Sequence, residues 1–313
     1  MAEPAPFPGP AGDRLSPTEL RALTPDDLGL LMRWRHATRR APGVDAALLA
    51  AEDAHVRSTY AQLLASGAHI YRCIASVSFL HARLPKLPSY KLLQDRLTAC
   101  GDTFTVADVG CAFGQDTREV LLLGVKPANV LAADVTDAYW QFGCQVFGDA
   151  ADGTAERSVG DVTTSFADWA APPGDADDVV TPYAGTRDAV VCLFVLHVLS
   201  RSQVTHLLTR LARLVKPGGL LVGACVGCSD GQWGGEWGVV PGGQSATPRW
   251  LHSPQSLEAE LASCGWAQDV VVASYDRDTV GSLIGHPVGP LAPLQPGMGR
   301  QTYLAFNACT AAV

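Results

Sequence analysis

The stretch from Phe104 to Asp116, FTVADVGCAFGQD, constrains this chain more than any other. A mostly apolar run, Phe104 to Ala107, leads into Asp108. Gly110, Ala112 and Gly114 then occupy alternate positions, and a helical pattern follows from Gln115 to Leu123. The order is strand, tight turn, helix N-terminus. Small residues at those positions let the backbone pass close to a ligand, and the first turn of a helix offers N–H groups without intrahelical partners. Asp108, just before the glycines, sets the chemistry: a carboxylate there repels a pyrophosphate and favours a cationic or amino-bearing ligand.

Composition narrows the classes around that turn. The chain has 313 residues, 47% of them hydrophobic, and a formal net charge of -8. That is enough apolar material for a large domain with an added segment. No lysine or arginine cluster stands out, so a nucleic-acid partner is disfavoured. The opening MAEPAPFPGPAGD has neither a basic nor an apolar signal region. The longest apolar stretch, Ala189 to Leu199, is broken by His197 and falls far short of the ~20 residues a membrane span needs. Nine cysteines without regular spacing point to reduced thiols and a cytoplasmic setting. The one C-x-x-C, Cys225 and Cys228, has no second pair at metal-site spacing.

Residues 1–15 are rich in Pro, Ala and Gly and read as a disordered tail. Residues 16–95 read as a helical N-terminal cap. Ser16-Pro17-Thr18-Glu19 has the pattern of a helix start, and helical patterns run over Thr24–Thr38 and Val44–Ala65. Residues 96–313 read as an α/β core. Strands are expected at Phe104–Val109, Asn129–Asp134, Ser158–Val162, Ala189–Leu193, Leu220–Cys225, Val270–Tyr275 and Thr302–Asn307. Helices are expected at Asp116–Leu123, Asp137–Phe147, Ser202–Val215 and Pro254–Cys264. This alternation predicts a mostly parallel sheet of seven strands with helices on both faces. Two long segments, 226–250 and 281–300, read as ligand-serving or mobile loops.

Ligands of open α/β sheets sit at the carboxyl ends of the strands. Asp134 ends the second expected strand, with Val135 beside it, and suits the two hydroxyls of a ribose. Asp161, with Val162, ends the third and suits an adenine amino group with an apolar wall. A dinucleotide turn needs a small residue where Gln115 stands, so an oxidoreductase is disfavoured. The pattern acidic-x-G-x-small-x-G fits Asp108, Gly110, Ala112 and Gly114, and Lys216-Pro217-Gly218-Gly219 adds a helix-ending turn before the fifth strand.

With these elements in this order, residues 90–310 resemble the class I S-adenosylmethionine-dependent methyltransferases. The resemblance implies a Rossmann-like fold and S-adenosyl-L-methionine as cofactor. The run Asp108 to Asp116, the segment Tyr71-Arg72-Cys73-Ile74-Ala75-Ser76 and the stretch Arg249-Trp250-Leu251-His252-Ser253 resemble, more narrowly, fungal-type methyltransferases of polyketide and terpenoid natural products. That implies secondary metabolism and a small-molecule acceptor methylated on a carboxylate or hydroxyl oxygen. A cofactor-binding module without transfer, or a transferase acting on nitrogen, sulfur or a macromolecule, remains as the alternative.

A carboxylate acceptor needs no base at neutral pH, whereas an alcohol or phenol does. His197, following the fourth strand, is the candidate catalytic base, and His252 the next. Phe194 is expected to line the cofactor pocket. Tyr71, Trp233, Trp237 and His252 are candidates for the acceptor pocket, and Arg72 for the cofactor carboxylate.

Overall fold

The computed structural model describes residues 20–36, 43–67, 74, 76–134, 137–149, 156–157, 183–229, 235–237, 249–276 and 301–312. Three helices come first: α1 (Gly29–Arg35), α2 (Ala46–Ala65) and α3 (Tyr90–Cys100). The alternating part follows with β1 (Val106–Val109), α4 (Gln115–Leu122), β2 (Val130–Ala133), α5 (Asp137–Phe147), β3 (Glu156–Arg157), β4 (Arg187–Leu193), α6 (Arg201–Leu214) and β5 (Val215–Cys228). It ends with β6 (Gly235–Trp237), β7 (Arg249–Leu251), α7 (Pro254–Ser263), β8 (Gln268–Tyr275) and β9 (Gln301–Cys309). The tail, the start near Ser16 and the expected strand at 158–162 lie outside the described residues; the two residues of β3 take that strand's place in the sheet.

The main sheet has the order β3-β2-β1-β4-β5-β9-β8. Pairing is parallel from β3 through β5, and β9 runs antiparallel to both β5 and β8. Side chains alternate across each strand. Ala107 and Val109 of β1, with Val190 and Cys192 of β4, pack toward α6 and α7 through Leu207, Leu211, Leu257 and Leu261. Val106, with Val191 and Leu193, packs on the other face with Leu93 of α3 and Val120 of α4. The sheet is therefore covered on both sides, as the near-continuous apolar strands require.

Caps explain the helix starts. Ser200 and Ser253 each accept the backbone N–H three residues on, forming capping boxes with Gln203 and Ser256, and Asp45 accepts from Leu48 N–H at 2.8 Å. Two expectations need correction. Lys216 to Gly219 does not form a turn ahead of the fifth strand; it is a bulge within β5, where the pairing with β4 jumps from Val215 to Leu220. The segment 226–250 is not all loop. β5 continues to Cys228, and Gly235–Trp237 pairs antiparallel with Arg249–Leu251 in a small second sheet. Strands of three residues are too short for alternation to show in a sequence.

The N-terminal helices share one apolar cluster with the core. Leu28, Leu31, Tyr60 and Leu80 pack with Phe113 of the glycine turn and with Phe142, Val146 and Phe147 of α5. Beside this cluster lies a fully buried ion pair, Arg118 with Asp149. The Arg118 guanidinium also donates to the Phe113 carbonyl at 2.6 Å and stacks on the Phe147 ring at 4.3 Å, while Trp34 Nε1 donates to Asp149.

Removing one partner of a fully buried pair leaves a bare charge. Asp149→Ala is expected to lower the unfolding free energy by ~3–5 kcal/mol in urea titrations. The joint replacement Arg118→Met with Asp149→Leu is expected to regain much of that loss. An equally unstable double variant would show that the charge is not the source.

Candidate functional site

The site grows from the turn after β1. Gly110 and Cys111 both donate their N–H to the Ala133 carbonyl at the end of β2, at 2.8 and 3.1 Å. Ala112 N–H donates to Asp134 Oδ2 at 2.8 Å. Asp134 thus does two things: it ends β2 and pins the turn. Gly110 sits at φ +76°, and a Cβ there would lie 2.2 Å from Val195 Cγ2, so the turn presses against the residue just past β4. Gly114 sits at φ +73°, but the space beside it is filled by Trp140 (2.6 Å) and Arg118 Nη1 (2.7 Å). Gly114 serves close packing at the start of α4. Between the two glycines, the Phe113 ring is buried against Phe142 (4.5 Å between centroids) and Phe79 (4.9 Å).

Strand parity decides what Asp108 does. It shares a face with Val106, the face covered by α4. There its Oδ2 accepts from Thr117 Oγ1 at 2.6 Å, and the residue is 2% exposed. The sequence suggests Asp108 as a receiver for a ligand cation; in the structure its carboxylate is tied to the first turn of α4 by Thr117. Burial, then the nearby Asp116, pushes the Asp108 carboxyl up to about 7, against the Thr117 hydrogen bond, and Asp134 adds to the rise. Asp116 is also pushed up by burial. Its Oδ1 accepts the backbone N–H of Arg83 (2.7 Å) and Leu84 (2.8 Å). That carboxylate fastens the segment before α3 onto the start of α4.

The carboxyl end of β4 forms the opposite wall. Phe194 adopts φ +61° and donates its N–H to Ala224 O at 2.6 Å, turning its ring out of the strand. The ring lies 6.2 Å from that of His197 and 6.1 Å from that of Tyr303, with the Arg83 guanidinium 4.5 Å above it. His197 is half-buried in a single helical turn, Leu196–Val198. The structure therefore brings together Gly110, Ala112, Asp134, Phe194 and His197 around the ends of β1, β2 and β4.

His252 stands nearby but in a different setting. Trp250 N–H donates to Leu199 O at 2.8 Å, which docks β7 beside the His197 turn. His252 itself is 2% exposed. Burial, reinforced by the Arg201 charge, pulls its imidazole down to about 4, so it is neutral at pH 7. Its Nδ1 lies 3.1 Å from Ser256 Oγ, inside the α7 capping box. Val135, Asp161, Val162, Tyr71, Arg72 and Trp233 lie outside the described residues. Of Trp237 only the backbone is described, paired with Arg249 in the small sheet.

Four residues that matter here carry no sequence signal of their own: Arg83, Arg118, Trp140 and Val195. Each acts through a contact across elements. Cys225 and Cys228 are buried in β5, and burial lifts the Cys225 thiol to about 12, so it stays protonated. Among the described residues, no cluster of three His, Cys, Asp or Glu could hold a metal ion, and no helix is long and apolar enough to cross a membrane.

No protein-family model matches the chain. Among curated proteins it is 30% identical over 162 residues to the methyltransferase adrK of Penicillium roqueforti, covering 51% of this chain and 54% of that protein. It is 27% identical over 159 residues to the O-methyltransferase atr3 of Stereocaulon alpinum, with 50% and 42% covered. It is 26% identical over 200 residues to the O-methyltransferase phiE of a fungal species, with 63% and 59% covered. The chain spans about half the length of the curated relatives it matches. Among solved structures, a geranyl diphosphate C-methyltransferase from Streptomyces coelicolor overlays with a TM-score of 0.45 at 15% identity, over 71% of this chain and 76% of that one.

Two measurements test the geometry. Asp108 has a folded pKa above the unfolded value of about 3.9, so folding favours its protonated form. Its contribution to stability is full below about pH 4 and is lost as pH rises through about 7. Asp108→Asn should therefore gain stability relative to wild type across that window in thermal melts. Parallel pH curves for the two proteins would refute the buried, proton-holding carboxyl. Gly110→Ala should cost ~1–3 kcal/mol through the Val195 clash and the positive φ. Adding Val195→Ala should return part of that loss; no recovery would mean the contact is not the source.

Proposed function

We propose that this chain, a relative of the fungal class I S-adenosylmethionine-dependent methyltransferases, transfers a methyl group from S-adenosyl-L-methionine to an oxygen of a small-molecule acceptor. The observation that carries this reading is the turn 110–114, hydrogen-bonded to Ala133 and Asp134 on one side and pressed on Val195 on the other. The charge around it fits the cofactor. The Asp134 carboxylate, bonded to Ala112 N–H, places an acidic group at the turn, which favours a sulfonium and an ammonium and repels a pyrophosphate. The oxygen acceptor is supported by the names of two relatives, both O-methyltransferases. Their fungal sources are consistent with a role in secondary metabolism.

In this reading the backbone at Gly110 and Ala112 runs beside the methionine portion. Asp134, with Val135, takes the ribose; Asp161 and Val162 take the adenine; and Phe194 walls the pocket. S-adenosylmethionine supplies an activated methyl group and leaves as a neutral thioether. The protein's task is to align the acceptor oxygen with the methyl carbon and sulfur and to keep water out, which can lower a barrier by ~7–11 kcal/mol in favourable cases. His197, beside Phe194, takes the proton of a hydroxyl acceptor. A carboxylate acceptor leaves it without that duty. Tyr71, Trp233, Trp237 and His252 line the acceptor side. Residues 16–95 act as a cap over the mouth, a reading supported by the Asp116 bonds to Arg83 and Leu84 and by the Arg33–Glu119 pair.

Calorimetric titration with S-adenosylmethionine should give saturable binding that Asp134→Ala weakens by at least about tenfold, the value of one or two lost hydrogen bonds. Absence of saturable binding to the wild type would end the reading. Turnover against a panel of acids and phenols then identifies the acceptor. For a phenol, His197→Asn should lower kcat by about 10²–10⁴; for a carboxylate it should change kcat little. Equal loss on both classes would argue against His197 as a base.

A further inference from the structure

Two buried polar atoms past the ends of β4 and β5 lack partners. His252 Nε2 and Trp250 Nε1 are both out of water, and neither has a hydrogen-bond partner among the described residues. The two residues are two apart on an extended segment, so their side chains leave the same face. Their ring centroids lie 6.1 Å apart. Leu251 between them packs the other way, with Val226 and Cys228. Backbone bonds place the pair. Trp250 N–H donates to Leu199 O, just past the His197 turn, and the His252 carbonyl accepts Cys228 N–H at 2.9 Å at the end of β5. Ser256 sets the polarity of the imidazole. Its Oγ accepts Ser253 N–H at 2.9 Å and lies 3.1 Å from both the Ser253 carbonyl and His252 Nδ1. The one hydroxyl hydrogen serves only one of those last two contacts. All three are hydrogen bonds only if Ser256 donates to the Ser253 carbonyl and His252 Nδ1–H donates to Ser256. His252 Nε2 is then a bare lone pair, whereas the indole Nε1 is a donor and nothing else. A buried polar atom left unpaired is costly.

Resting on the methyltransferase reading above, we propose that Trp250 Nε1 and His252 Nε2 form a subsite for a hydroxyl group of the methyl acceptor, which donates to the imidazole and accepts from the indole. A hydroxyl does both through one oxygen. An ionised carboxylate has no hydrogen for Nε2 and would set its lone pairs against that of the nitrogen. A carbonyl or an ether satisfies the indole and leaves the imidazole bare. Burial and the Arg201 charge keep the imidazole neutral, so it does not become a second donor at pH 7. The same weak basicity suits His252 to binding rather than to removing a proton. His252 and Trp250 therefore select and orient a hydroxylated acceptor, and its reacting oxygen is presented beside His197 and Phe194. The indole and imidazole rings suit a flat, aromatic body next to that hydroxyl.

The test is a set of binding isotherms, independent of turnover, on protein saturated with S-adenosylhomocysteine. The probes are 1-naphthol, 1-methoxynaphthalene, which cannot donate, and 1-methylnaphthalene, which can neither donate nor accept. Wild type is expected to bind the naphthol about tenfold more tightly than the methyl compound, the value of one or two neutral hydrogen bonds. The methoxy compound should gain little over the methyl one. Trp250→Phe and His252→Phe should each shrink the naphthol preference and leave the affinity for 1-methylnaphthalene unchanged. Equal weakening of all three probes assigns the two rings to architecture and overturns the proposal. Two outcomes overturn it on wild type alone, so a variant that fails to fold does not shelter it. One is a naphthol that does not saturate or binds no better than the methyl compound, which means that the two atoms are satisfied without a ligand. The other is a nitrogen-15 spectrum of labelled histidine that shows the hydrogen of His252 on Nε2. Protein that binds S-adenosylmethionine but fails these tests keeps the methyltransferase reading and loses this inference; protein that binds no cofactor loses both.

Discussion

The first turn of α4 holds this site together, and it is polar and buried at once. Gln115, Asp116, Thr117, Arg118 and Glu119 are all 6% exposed or less. Helix geometry turns successive side chains by about 100°, so four consecutive residues address four different parts of the molecule. Asp116 holds Arg83 and Leu84 of the N-terminal segment, Thr117 holds Asp108 at the end of β1, and Arg118 holds the Phe113 carbonyl and Asp149. Glu119 holds Arg33 of α1 and Tyr90 of α3. Polar groups withdrawn from water are tolerated when each finds a partner. In this helix the partners are the pieces that must be assembled around the glycine turn.

This arrangement explains why the sequence conveys the frame of the site better than its contents. The strand–turn–helix at 104–123 follows from local rules: an apolar run, small residues where φ is positive, and a helix start. Asp137–Phe147 is a helix with those bounds, because its apolar spacing is dense. The run QDTRE, by contrast, has the composition of a solvent-facing turn, and nothing local says it is buried. Several of its partners are distant along the chain, 31 residues for Arg118–Asp149 and 86 for Arg33–Glu119. Arg83 and Arg118 look like any surface arginine until the fold surrounds them.

Asp108 shows the same limit from the other direction. Its position before the glycines correctly marks the turn, but position alone does not say which way the carboxylate faces. The two-residue period of the strand places it with Val106 under α4, where Thr117 takes one of its oxygens. What the carboxyl does in the structure is join the end of β1 to the start of α4.

The N-terminal segment is consequently packed directly against the glycine turn. Phe113 leaves the glycine turn and enters the apolar cluster built by α1, α2 and the residues around Phe79. Its carbonyl is fixed by Arg118, whose carboxylate partner Asp149 also receives Trp34 of α1. Undocking α1 would strip Asp149 of the Trp34 hydrogen bond, take the Trp34 ring from the Arg118 guanidinium and remove Leu30 and Leu31 from the cluster that holds Phe113. Each of those changes bears on the residue between Ala112 and Gly114. The conformation of a five-residue bend at the edge of the sheet thus depends on helices that end at Arg35 and Ala65, far ahead of it in the chain, and any process that loosens those helices will loosen the bend with them.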